Sequence, residues 1–248
     1  MTEKIYLFIG FALFSFQIFA QVPVIGREQH FGFSTQEVNR LASAKYSETT
    51  ATLKLSASLD DDPIILARVE MVFASLVRAA AYLKPASATW RWEVHTSSDS
   101  QIDAYCMAGG KLIIGSFFVR RLHLSNGELA TLIGHEVGHV IAEHHREILS
   151  NVLHLNPLPA TSLQIVSDQL DSDTRLPFRL AALSNLQESE ADQLGILLAH
   201  RAGWASSSMI HFYQKLMLDE RPTFLSMNYP PSSSRLAMAY RMTLSFKR

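Results

Sequence analysis

The 248-residue chain contains a single cysteine, Cys106. One thiol closes no intramolecular disulfide, so a disulfide scaffold is excluded and cysteine usage is silent about export. An excess of either charge is missing too: Lys and Arg total 22 against 23 Asp and Glu, a formal net charge of −1. With no basic field to neutralise phosphates, a nucleic-acid partner is not expected. Charge itself is scarce, at 18% of residues, where soluble proteins carry about 25%. Repeats, low-complexity tracts and long Pro/Gly linkers are also absent. With 48% apolar residues the chain is expected to bury one sizeable core rather than to be disordered.

The longest charge-free apolar run is short. It follows Lys4 and extends from Ile5 to Ala20, 16 residues, before Gln21, Val22 and Pro23 interrupt it. A spanning helix wants about 20 apolar residues, and the small Ala20 stands where a signal peptidase would cut. Residues 1–20 therefore read as an export signal, with an uncleaved membrane anchor over residues 5–20 as the alternative, and residues 21–248 as a single domain. No cysteine follows the run, which excludes a lipoprotein signal. Removing residues 1–20 takes away only Glu3 and Lys4, so the remaining domain is itself sparsely charged. That suits a chain that works near a membrane or binds unfolded, apolar chains.

The remaining pattern predicts an α+β, predominantly helical domain with a small central sheet. Ser34 and Glu37 have capping-box spacing and open a helix to about Leu55; Asp62-Pro63 opens another to Leu83. Residues 90–94 alternate like a strand, and 102–107 and 111–115 flank Gly109-Gly110 like a hairpin. Ser125 and Glu128 again match a capping box, ahead of a long helix over 127–149. Pro157, Pro159 and Pro177 mark residues 150–184 as a loop-rich insertion with short helices. Helices follow over about 186–202, ended by Gly203, over 206–218, and from Ser232 onward.

The 127–149 helix carries His135-Glu136-Val137-Gly138-His139. Residues four apart share a helix face, so His135 and His139 offer two imidazoles to one zinc ion, with Glu136 placed to handle the protons of a zinc-bound water. A catalytic zinc needs a third protein ligand and an open position. Glu188-Ser189-Glu190-Ala191-Asp192 supplies a candidate pair at i, i+4, Glu188 as ligand and Asp192 as the acceptor that orients one histidine. The alternative is a solvated acidic face. His144 and His145 are expected to face solvent, and His123, His154, His200 and His211 show no ligand spacing. Gly134 and Gly138 make a smooth stripe where another backbone can approach.

Taken in order, residues 104–114 (AYCMAGGKLII), Asn126-Gly127-Glu128-Leu129, HEVGH and ESEAD resemble the HtpX and CAAX-prenyl-protease type of gluzincin metallopeptidase, peptidase family forty-eight, over about residues 90–240. With its expected export signal, the chain looks most like the periplasmic BepA/LoiP-like members. The resemblance implies a zincin-like fold and a metalloendopeptidase holding one Zn2+ per chain on His135, His139 and Glu188, with Glu136 catalytic and Asp192 behind the ligands. It implies a peptide or protein substrate, misfolded envelope proteins in particular, and a location in the periplasm or cell envelope. In zincins an extended substrate adds to a sheet edge above the metal, and Lys111, Leu112, Ile113, Ile114 and Gly115 are the candidate strand. Residues 150–187 separate the halves of the metal site and are a candidate lid. Where such relatives have a histidine before a proline-serine segment, this chain has Tyr229, ahead of Pro230 and Arg235. A phenol there is a candidate donor to a developing oxyanion, or simply a packed aromatic. The competing functional expectation is a chaperone-like or scaffolding factor whose proteolysis is dispensable.

Overall fold

The structure, a computed structural model, describes residues 18–155, 162–219 and 229–246. A short antiparallel hairpin opens it: β1 (Ile18–Gln21) pairs with β2 (Glu28–Phe31). Most of the expected export signal lies outside the described residues. Ala20, the expected cleavage position, falls inside β1, opposite Gln29. Among the described residues no helix is long and apolar enough to cross a membrane.

Two capped helices come next. α1 (Thr35–Leu55) starts at the expected Ser34/Glu37 box, and α2 (Pro63–Leu83) at Asp62, whose carboxylate accepts from the backbone of Ile64 and Ile65. A 3-10 turn (Pro85–Thr89) leads to β3 (Glu93–Ser97), β4 (Ala104–Met107) and β5 (Lys111–Gly115). β3 therefore begins three residues after the expected start at Trp90. The indole of Trp92 instead donates to the Ser87 carbonyl at 2.8 Å, outside the strand.

The sheet order is β3-β5-β4, with β3 parallel and β4 antiparallel to β5. This overturns the premise that Lys111–Gly115 is an edge. β5 is the central strand and all five of its residues are buried. Leu112 and Ile114 enter the main core, while Ile113 packs with Tyr46 and Leu53 of α1. Among the described residues, β4 has β5 as its sole strand partner. β3 and β4 are thus the two edges, and because Leu59 bridges Ser97 on the outer side of β3, β4 is the more open of them.

After α3 (Ser116–Arg121), α4 (Asn126–Ile141) starts at the Ser125/Glu128 capping box. It does not continue to Leu149. Glu143 adopts φ 55, and α5 (His144–Leu155) starts after it. That left-handed conformation costs a residue with a side chain about 1 kcal/mol. It is offset by the Glu143 carboxylate, which accepts from Lys84 at 2.5 Å, Arg146 at 2.7 Å and Thr35 at 2.9 Å.

The 150–184 segment is helical where described rather than loop-rich. It completes α5, forms α6 (Leu163–Ser172) and supplies the start of α7 (Leu176–Arg201), with Pro177 in the first turn, where its missing N–H costs nothing. Leu149, Val152, Val166, Leu176 and Leu180 pack with Val38 and Phe33 in a small core of their own. α8 (Ser206–Leu218) and α9 (Ser232–Ser245) close the main core over α4 and α7.

Candidate metal centre

α4 and α7 cross with almost no side chain between them. A Cβ on Gly134 would lie 2.8 Å from the Gly195 carbonyl oxygen, and one on Gly195 would lie 2.6 Å from the His135 nitrogen. The glycine stripe of α4 is therefore the surface that α7 approaches. This close crossing sets Glu188 and Asp192 of α7 directly against His135 and His139 of α4.

Three ligand atoms converge there. His135 Nε2 and His139 Nε2 are 3.1 Å apart, and the Glu188 carboxylate is 3.2 Å from the first and 3.3 Å from the second. Tetrahedral zinc with bonds of about 2.0–2.1 Å would separate its ligand atoms by about 3.3 Å. Glu188 Oε2 is buried without a hydrogen-bond partner, which is what a carboxylate awaiting a cation looks like. Among the described residues this is the cluster able to hold a metal ion, and its donor set of two imidazoles and one carboxylate suits zinc.

The electrostatics agree. Against the cost of burial, the two imidazoles hold the Glu188 carboxyl far below the usual carboxylate range. Burial disfavours a charge on His135, yet Asp192 and Glu188 push it up to about 10.

Both imidazoles are held from behind. His135 Nδ1 lies 2.9 Å from Asp192 Oδ1, the contact expected of Asp192. Asp192 is fully buried and accepts two bonds from Arg235, at 2.7 and 2.6 Å, and one from the Tyr213 hydroxyl at 2.8 Å. His139 Nδ1 lies 2.9 Å from His144 Nδ1, and His144 Nε2 lies 3.1 Å from Glu190 Oε2. Glu190 and Glu147 are both clamped by Arg27, at 2.5–2.9 Å, from the turn between β1 and β2.

His144 is thus not solvent-facing: it is 2% exposed, and burial pushes its pKa down to about 4. His145 is half-buried rather than exposed, its Nδ1 has no partner, and desolvation likewise lowers it to about 4. Nothing local in the sequence singles out His144. Glu190 sits two residues from Glu188, on the far side of α7, and Arg27 is 163 residues from Glu190.

Glu136 is buried, and with His135 it lines a cavity of about 500 Å³ that also includes Leu132, Phe212 and Tyr229. Partial burial and the carboxylates of Glu188 and Glu136 raise the Tyr229 phenol, which stays protonated and able to donate. A second cavity of about 390 Å³ is lined by His139, Glu188, Tyr105 and Met107. The chain at β4 borders both, Ala104 the first and Tyr105 to Met107 the second. Cys106, between them, faces Glu136, and desolvation and that carboxylate keep its thiol protonated. The segment expected as a lid reaches the second cavity through Asp171, Ser184 and Gln187.

The family model for Peptidase family M48 matches residues 66–243. The chain belongs to this family. By family it is a metallopeptidase. Curated relatives include the mitochondrial metalloendopeptidase OMA1 of Arabidopsis thaliana, 32% identical over 125 residues, which cover 50% of this chain and 26% of the relative. The Beta-barrel assembly-enhancing protease of Escherichia coli is 26% identical over 203 residues, 75% of this chain and 40% of the relative. The OMA1 protein of Saccharomyces cerevisiae is 25% identical over 223 residues, 85% of this chain and 62% of the relative. The chain thus spans between about a quarter and three-fifths of the length of these relatives.

Proposed function

We propose that the chain is an exported zinc endopeptidase that hydrolyses peptide bonds in misfolded or misassembled cell-envelope proteins. The observation that carries the chemistry is the convergence of His135 Nε2, His139 Nε2 and the Glu188 carboxylate at 3.1–3.3 Å, with Glu136 lining the adjoining cavity. His135, His139 and Glu188 would hold a zinc ion, which would supply Lewis-acid polarisation of the scissile carbonyl and acidify the attacking water. Glu136 accepts that water's proton and returns it to the leaving amine. Tyr229 donates its hydroxyl proton in a hydrogen bond to the carbonyl oxygen as negative charge develops. An extended substrate adds its backbone to the open edge of β4, leaving side chains room in the two flanking cavities.

The envelope assignment draws support from the apolar run at residues 5–20 and from relatives named for β-barrel assembly; the mitochondrial OMA1 relatives share the chemistry in another compartment. Metal content and casein cleavage, measured side by side for the wild type and Glu136→Gln, test the reading. It expects one zinc per chain in both proteins and cleavage by the wild type alone. Zinc absent from both, or cleavage undiminished in the variant, would refute it.

A further inference from the structure

We infer that His144 is a positioning residue of the metal site: by accepting a hydrogen bond from His139 it decides which nitrogen of His139 carries the proton, and so sets the affinity for zinc. The inference rests on the zinc reading above and concerns a side chain that itself binds no metal.

Counting protons from the outer end shows why. The Glu190 carboxylate can only accept, and it takes N–H bonds from Arg27 at 2.5 and 2.9 Å. Its Oε2 also lies 3.1 Å from His144 Nε2, so that nitrogen carries a hydrogen. Nδ1 of the neutral His144 ring is then bare, and it lies 2.9 Å from His139 Nδ1. His139 must therefore donate from Nδ1, which leaves its Nε2 lone pair free. That free Nε2 is the atom 3.1 Å from His135 Nε2 and 3.3 Å from Glu188 Oε1.

At His135 the corresponding acceptor is a carboxylate in direct contact, Asp192 Oδ1 at 2.9 Å from Nδ1. His144 and Glu190 are each 2% exposed, so water does not compete for these bonds. The break in the helix makes the contact available. On an unbroken helix a residue five positions on points about 140° away from His139. The left-handed Glu143 turns α5 back so that the two rings meet edge to face with centroids 5.0 Å apart. The strained residue therefore lies where the metal site gains an acceptor.

The test uses the full chain with zinc removed, compared as wild type, His144→Phe and His144→Gln. Zinc dissociation constants come from competition with a chromophoric chelator, and the His139 tautomer from 15N shifts of the metal-free ring. His144→Phe is expected to weaken zinc binding about 10–100-fold, as loss of a ligand's hydrogen-bond partner generally does. His144→Gln, whose amide oxygen can accept from Nδ1, is expected to recover most of that loss. The wild-type His139 ring should carry its proton on Nδ1, and His144→Phe should shift it toward Nε2. An unchanged zinc constant in folded His144→Phe would overturn the inference. So would an Nε2–H tautomer at His139 in the wild type, a measurement that decides the matter even if His144→Phe does not fold. A wild type with the Nδ1–H tautomer that binds no zinc would refute the proposed function and leave the positioning of His139 established.

Discussion

His135 and His139 offer the same atom to the same point, yet their supports come from opposite ends of the chain. Behind His135 stands one buried carboxylate, Asp192, fixed by Arg235 of α9 and Tyr213 of α8. Behind His139 stand His144, Glu190 and finally Arg27, in the hairpin that opens the structure. The first support lies wholly inside the family-matched residues 66–243; the second ends outside them. The support behind His139 thus ends on a segment that the family match does not include. Arg27 is also the main counter-charge for two carboxylates, Glu147 and Glu190, that would otherwise be buried against each other's charge.

The comparison can be broken at either support, or shown to be independent of the chemistry. Glu136 belongs to neither arm, so Glu136→Gln should cost the largest amount, about 10²–10⁴-fold in kcat by steady-state cleavage, with the zinc constant unmoved. On the first arm, Asp192→Ala leaves the half-buried Arg235 without its carboxylate and should lower stability by about 3 kcal/mol in chemical denaturation, besides weakening zinc. On the second, Arg27→Met should cost about 3 kcal/mol and weaken zinc less than loss of His144, because it acts two side chains away. Equal zinc losses for Arg27→Met and His144→Phe would show that the second arm acts as one rigid unit instead of a graded chain. Gly195→Ala drives the two helices apart, since its Cβ meets the His135 backbone at 2.6 Å. It should cost about 1–3 kcal/mol and disturb both arms together.

The smallest effect is on pH dependence. Against the cost of burial, hydrogen bonds from Arg27, Gln29 and Gln187 hold Glu147, and hydrogen bonds from His144 and Arg27 hold Glu190, below the usual carboxylate range. Groups depressed in the folded state contribute stability above their unfolded pKa, about 4.3, and that contribution is lost as pH falls toward the folded values. Thermal melts should show stability lost on acidification through that window, and a smaller loss in Arg27→Met, where part of the carboxylate contribution is already gone.

Local signals accounted for what local physics determines. Ser34/Glu37, Asp62-Pro63 and Ser125/Glu128 mark true helix starts, and Gly109-Gly110, both at positive φ, mark the β4–β5 turn. The HEVGH and ESEAD spacings likewise brought His135, His139, Glu188 and Asp192 together. What stayed hidden depends on contacts distant in sequence. No Gly or Pro announces the break at Glu143; Lys84 and Thr35 hold it from far along the chain. The central place of β5 comes from parallel pairing with β3, which periodicity does not reveal. Pro177 suggested a loop and instead opens a 26-residue helix. His144 looked solvated because it lies beyond the HEVGH motif, and the partner that marks its role, Glu190, is 46 residues away.

The central claim is that His135, His139 and Glu188 together hold one zinc ion. Its most direct test is zinc stoichiometry, by elemental analysis of purified wild type and Glu188→Ala after dialysis against a weak chelator. The account predicts one zinc per chain in the wild type and none retained in the variant. Equal zinc in both, or none in the wild type, would contradict it.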